Sequence, residues 1–228
     1  MLQLTRKGLI HHGQLGALRD RFATNHCVVL EKILEPALLE NVQRQIGEAR
    51  WQSYVHLRDH GQEKEEKAFE DYGTELILDA PVTVRLLLFL LNNPAFLNVI
   101  RMITGCPAIT EFGSIRVYRL VAGPQHQFSW HNDRNDPLRE VGFSMNLSTD
   151  VFRGGTFELR DRRTLTPLAQ VNNTGFGHAL LFRTSYDLQH RVTEVVDKAA
   201  KTACVGWFRA TGKTFFAELI GSEAVPSP

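Results

Sequence analysis

The chain has 228 residues, 43% hydrophobic and 22% charged, which is the composition of an ordinary globular protein with ample side chains for a core. Lys and Arg number 26 against 25 Asp and Glu, a formal net charge of +1, so nothing marks it as a binder of nucleic acid or of an anionic membrane. Three scattered cysteines, Cys27, Cys106 and Cys204, form neither a CxxC pair nor a disulfide framework, and the expectation is a reducing, cytoplasmic setting.

In chain order, the N-terminal stretch carries Arg6, Lys7, His11 and His12 and lacks the apolar run of a signal peptide. Thr24 to Leu30 reads as a short strand. Glu35-Pro36 opens a helix, since Pro is harmless in a first turn, and Leu38, Leu39, Val42, Ile46 and Ala49 follow at helical spacing. Residues 58–70 (RDHGQEKEEKAFE) are dense in charge and read either as a solvated loop, with His56 and His60 in water, or as a lid over a substrate. Helices are predicted over Val82–Leu91 and Ala95–Thr104, separated at Asn93-Pro94, the second ended by Gly105. The most hydrophobic run, Val84 to Leu91, stops at Asn92-Asn93-Pro94, far short of the ~20 residues a bilayer demands, so no membrane span is expected.

From Ser114 onward the pattern turns to short β-rich runs: Ile115–Val121, Val141–Leu147, Thr156–Leu159, Leu168–Val171, Ala179–Phe182, Val192–Val196 and Thr202–Phe208. Turn signals lie between them at Ala122-Gly123-Pro124, Arg153-Gly154-Gly155, Thr166-Pro167 and Asn172-Asn173-Thr174-Gly175. Strands at this spacing predict a sandwich or barrel, and helices first with strands later predict an α+β class rather than a doubly wound sheet. We expect one domain over 1–228, with 1–110 mainly helical support and 111–220 the β core.

The run His131-Asn132-Asp133 is answered by His190. Residues at i and i+2 of a strand point the same way, so His131 and Asp133 can face one cavity, and a returning strand can bring His190 to a third corner. Two imidazoles and one carboxylate on one face of a metal, the other face open, form the ligand set of non-haem Fe(II) oxygenases. His126 is expected in a loop before this strand and His178 on a strand at the barrel end.

HxD alone is weak, but its company is informative. It is followed by Gly154-Gly155-Thr156-Phe157-Glu158-Leu159, by Gly177-His178-Ala179-Leu180-Leu181-Phe182, by His190-Arg191-Val192 and by Lys201-Thr202-Ala203-Cys204-Val205-Gly206-Trp207-Phe208. Together these resemble the 2-oxoglutarate/Fe(II)-dependent dioxygenases, in their prolyl-hydroxylase-like branch. The resemblance implies a double-stranded β-helix core, a cupin-like jelly roll, with N-terminal supporting helices. It makes His131, Asp133 and His190 the catalytic iron ligands. Lys201, six residues before Trp207, would pair with the distal carboxylate of 2-oxoglutarate, because an anion in a largely apolar barrel is costly without a cation.

Tyr118 would hydrogen-bond the same carboxylate, and Trp207, on the side of the strand shared with Lys201, would wall the site. Ser144, standing where the family often has an aromatic hydroxyl, and Asn146 occupy further cosubstrate positions. Lys198, Arg191 and Arg209 are alternative anchors, and Arg209 is also a candidate for gripping an acidic substrate. Related halogenases lack the carboxylate, so Asp133 implies an oxygen-based outcome. The implied cofactors are Fe(II), 2-oxoglutarate and O2, with ascorbate as a candidate reductant. The implied partner is a small-molecule, amino-acid or peptidyl substrate, with no nucleic acid or membrane and the oligomeric state left open. Two rivals stand beside this reading: a cupin-like metal-binding or sensor protein, and a Zn(II) hydrolase, for which no HExxH motif is present.

Overall fold

The computed structural model describes residues 2–11, 13, 15–58 and 70–216. A hairpin of β1 (Leu2–Thr5) and β2 (Gly8–His11) is followed by α1 (Leu15–Asn25), β3 (Cys27–Leu30) and α2 (Pro36–Glu48). Next come β4 (Arg50–Arg58), β5 (Glu70–Asp79), α3 (Pro81–Leu91) and α4 (Pro94–Thr104). The remainder is β6 (Glu111–Leu120), β7 (Phe128–His131), β8 (Arg139–Asn146), β9 (Phe157–Asp161), β10 (Pro167–Val171), β11 (Ala179–Arg183), β12 (Leu188–Val192) and β13 (Lys201–Arg209). Among the described residues no single helix is long and apolar enough to cross a membrane.

Every ladder is antiparallel, in the order β10-β9-β12-β7-β5-β6-β13-β8-β11-β3, with β4 on β5. The β5–β7 link is a single pair, Gly73 with Phe128. It divides the path into a larger sheet (β3, β11, β8, β13, β6, β5) and a smaller one (β7, β12, β9, β10). Their inner faces meet, since Phe157, Leu159 and Leu188 of the small sheet cluster with Leu180 and Phe182 of the large one. This is the α+β jelly roll expected from the sequence.

Period-two alternation decides which side each residue serves. Val28 and Leu30, Val141 and Met145, Ala179 and Leu181, and Cys204 and Phe208 join one core with the helices. Their neighbours Leu180, Phe182 and Ala203 join the inner clusters. In β6 the alternation is reset. Ser114, at φ 53, is an extra residue opposite β13, where Val205 pairs with Arg116 but Trp207 with Gly113. Phe112 and Val117, of opposite parity, therefore both reach the helical core.

The helices cover the outer face of the large sheet through Leu38, Leu39, Val42 and Ile46 of α2, Leu87 and Leu91 of α3, and Phe96, Ile100 and Ile103 of α4. Asn93 caps α4 by accepting from the Ala95 and Phe96 amides at 3.0 and 3.2 Å, and Gly105 ends it in the left-handed region.

Several expectations shift. The first half also supplies strands, including β3 and β5 of the large sheet. The strand expected from Thr24 begins at Cys27, because α1 runs to Asn25. The strand expected at Val192–Val196 lies instead at Leu188–Val192, centred on His190; Val195 forms isolated bridges to Ala122 and Gly154. Residues 59–69, most of the expected lid with His60 in it, and the His56 side chain lie outside the described residues.

Candidate functional site

The cross-strand pair of β7 and β12 sets the site, because His131 stands directly opposite His190 in the ladder. Their rings lie 4.2 Å apart, centroid to centroid. β7 ends at His131, so Asp133 does not sit on the strand as the i, i+2 reading assumed; it reaches the same place from the bend just beyond. Asp133 Oδ2 is 3.4 Å from His190 Nε2 and Oδ1 is 3.8 Å from His131 Nε2. All three donor atoms fall within 4.8 Å of one another. Donors about 2.1 Å from a shared ion, in adjacent corners of an octahedron, lie about 3 Å apart, so the trio fits a first-row metal after small adjustment.

The electrostatics agree with that donor set. Burial, and then the neighbouring His131, push the His190 pKa down to about 3, against the pull of Asp133, so its imidazole is neutral and free to donate a lone pair. Burial pushes the Asp133 carboxyl up. His190, His131, the Trp207 N–H and Arg139 more than reverse this, and it stays ionised below its usual range. His131 Nδ1 lies 2.7 Å from the Ser129 carbonyl; with its proton on that nitrogen it donates there and Nε2 is left for the metal. Trp207 donates its indole N–H to Asp133 Oδ2 at 2.8 Å. Its expected role as a wall is therefore joined by a grip on the carboxylate.

The trio opens into a cavity of roughly 610 Å3 between the sheets, lined also by Tyr118, Ser144, Lys201 and Trp207. Phe157 and Phe182 flank His190, with centroids 5.6 and 4.7 Å from its ring. Lys201 is 5% exposed, and its one hydrogen bond among the described residues is to the Gly155 carbonyl, 2.6 Å from Nζ. Burial lowers its pKa to about 8. Gly155, at φ 58, is required here, because a Cβ would come within 2.9 Å of Lys201 Cδ.

Tyr118 hydrogen-bonds Ser144, and burial, reinforced by Glu75, drives its phenol well above the usual range, so it keeps its proton. Asn146 does not line the cavity. Its Oδ1 accepts from the Ser148 amide at 3.0 Å, and β8 ends at this residue.

The alternative anchors lie elsewhere. Lys198 is exposed, Arg191 pairs with Glu158 at 2.6 Å, and Arg209 pairs with Glu111 and Asp136 at 2.9 and 3.1 Å. His126 lies in the turn before β7, and His178 just precedes β11 rather than lying on it. Among the cavity residues that escaped the sequence reading are two arginines, Arg116 and Arg139. Arg116 was within reach of it, since it shares the face of Tyr118 two residues away. Arg139 carried no comparable signal.

Residues 114–209 match the family model of the 2OG-Fe(II) oxygenase superfamily. No curated protein matches the chain in sequence. Among solved structures, an oxidoreductase of the 2OG-Fe(II) oxygenase family from Burkholderia pseudomallei superposes with a TM-score of 0.65 at 13% identity, covering 94% of this chain and 98% of that one. A prolyl hydroxylase from Trichoplax adhaerens, in complex with a hypoxia inducible factor peptide, gives 0.62 at 14% identity over 92% and 93%. A prolyl-4-hydroxylase from Pseudomonas putida gives 0.54 at 17% identity over 86% and 98%. At these identities the structures speak for the fold alone.

Proposed function

From the match of residues 114–209 to the 2OG-Fe(II) oxygenase family model and the geometry of the site, we propose an Fe(II)- and 2-oxoglutarate-dependent dioxygenase that hydroxylates a small-molecule, amino-acid or peptidyl substrate. The balance is R–H + 2-oxoglutarate + O2 → R–OH + succinate + CO2. The observation that carries this reading is Lys201, a buried cation that meets no anion among the described residues, only the Gly155 carbonyl and the Phe152 ring 6.0 Å away, in the same cavity as a His-Asp-His donor set. A lone buried ammonium is costly, and a dianionic cosubstrate would relieve that cost.

In this reading His131, Asp133 and His190 hold the iron, which supplies O2 activation when bound. Lys201 takes the distal carboxylate of 2-oxoglutarate, and Tyr118 with Ser144 donates to it, the phenol being reliably protonated. Trp207 keeps one Asp133 oxygen turned away from free rotation. Phe157 and Phe182 keep water from the His190 side. Asp133 is the sole carboxylate among the described lining residues, so a metal hydrolase would find no second base. Cys27, Cys106 and Cys204, free and buried, support a cytoplasmic setting.

The test is anaerobic addition of Fe(II) and 2-oxoglutarate. A weak visible metal-to-ligand charge-transfer band is expected, followed in air, with ascorbate as reductant, by succinate release. A protein that binds metal but shows neither is a cupin-like binder, and the proposal fails. Chloride should not alter the products, because Asp133 holds the position a halide would need; a chlorinated product would remove Asp133 from the ligand set.

A further inference from the structure

Two guanidinium groups enter the cavity on the Trp207 side, Arg116 from β6 and Arg139 from β8. Both lie against the Trp207 indole, 5.8 and 3.8 Å from its centroid. Among the described residues Arg116 is held through Nε alone, and Arg139 through Nη1 and Nε. Arg116 gives Nε to Glu75 Oε1 at 2.6 Å, and Glu75 is fully buried, so the carboxylate grips the group from behind. The terminal nitrogens of Arg116 make no hydrogen bond to any described residue. Arg139 places Nη1 3.4 Å from the Asp133 carbonyl and 3.1 Å from Asn135 Oδ1, and Nε 3.6 Å from Asp136 Oδ2. Its Nη2 makes no hydrogen bond to a described residue either. Arg209, the third arginine nearby, is spent on Glu111 and Asp136.

These forks are not a second seat for the cosubstrate carboxylate assigned to Lys201. Lys201 and Trp207 are six residues apart on one strand, about 20 Å along β13. A planar fork with free N–H groups matches a carboxylate two bonds at a time, which an ammonium cannot do. The anions nearest Arg139 are Asp136, with Oδ2 3.6 Å from Nε, and Asp133, with Oδ1 3.9 Å from Nη1, and in the reading above the Asp133 charge is turned to the metal.

Building on the proposed oxygenase function, we propose that the substrate carries a carboxylate that docks on Arg116 and Arg139 beside Trp207, and that the carbon oxidised lies a few bonds from it. A free organic or amino acid and an acidic residue within a peptide share this chemistry, and the experiment separates them.

Titration calorimetry on protein loaded with Zn(II) and 2-oxoglutarate would use the protein amino acids, benzoate and phenylacetate, each beside its carboxamide, and the blocked peptide acetyl-Gly-Glu-Gly-amide. At least one carboxylate should bind, with its carboxamide tenfold weaker or worse. Binding confined to free acids assigns the substrate to that class, and binding confined to the peptide assigns it to acidic side chains.

Arg116→Lys and Arg139→Lys keep the charge that Glu75 and Asp136 need, so the fold is preserved while the fork is lost. Each should weaken the acid at least tenfold. Arg160→Gln, on the outer sheet face against Trp130, should not. Equal binding of acid and carboxamide, no binding by any carboxylate, or lysine variants that bind as tightly as the parent would overturn the proposal. In those cases intact 2-oxoglutarate binding leaves the oxygenase reading standing, whereas its absence brings down both.

Discussion

The two faces of the large sheet are built from the same strands and do opposite work. Toward the helices, Val141, Phe143 and Met145 of β8 and Cys204 and Phe208 of β13 are at most 1% exposed. Phe112, Phe143 and Phe208 there pack ring on ring at 4.9–5.9 Å. Toward the cavity the same strands carry Ser144, Lys201 and Trp207, whose polar atoms need partners. The helical face holds the sheet rigid, and that rigidity lets the other face keep a buried ammonium that contributes nothing to stability by itself. A carboxylate ligand would turn this liability into affinity.

The largest effect should come from the stabilising face. Phe208→Ala removes a fully buried ring and should cost about 3–5 kcal/mol of unfolding free energy, read by denaturant titration. Loss of 2-oxoglutarate affinity without loss of stability would break the division of labour between the faces.

Next is Lys201→Met on the cavity face. Loss of a charge-assisted contact to a buried carboxylate should weaken 2-oxoglutarate by about 2–4 kcal/mol, roughly thirty- to a thousandfold. The ligand-free melting temperature should hold or rise, since an unpaired buried charge has gone. A sharp fall in melting temperature with unchanged affinity would make Lys201 a structural residue.

Trp207→Phe keeps the ring under Arg139 but removes the N–H that holds Asp133. Metal affinity should drop roughly tenfold to a hundredfold, as for other groups that orient a ligand. An unchanged Co(II) or Fe(II) titration would show that Asp133 needs no such support.

The smallest effect is graded with pH. Lys201 titrates at about 8 in the ligand-free fold against 10.5 unfolded, and a carboxylate binds only its charged form. The dissociation constant for 2-oxoglutarate should rise above pH 8, at most about tenfold, or 1.4 kcal/mol, per unit. Ligand-free stability moves the other way. Between pH 8 and 10.5 the unfolded chain holds a proton that the folded one has released, so Lys201 makes stability rise with pH across that window. An affinity flat from pH 7 to 10 would point to an anchor that does not titrate there, such as Arg116.

Local pattern was enough wherever local physics decides. Asn93-Pro94 and Gly105 bounded α4, strand alternation placed Lys201 and Trp207 on one side, and the glycines at 154 and 155 marked the turn against which Lys201 now rests. The joint spacing of His131, Asp133 and His190 raised the metal hypothesis before any coordinates.

What required the tertiary structure was partnership between distant segments. β5 earns its place in the sheet only by pairing with β6 and β7, and nothing in residues 70–79 alone announces that. The shift of β12 to Leu188–Val192 followed from pairing with β7 and β9, which overrode the more hydrophobic Val192–Val196. Asp133 reaches the histidines from a bend, and Trp207 finds it across 74 residues of chain. The sequence by itself determined which residue types could make a metal site and which face of each strand they occupy, because periodicity is local. Only the folded molecule decided which of several cations stands buried with no anion among the described residues, because burial and pairing depend on every element packed around that charge.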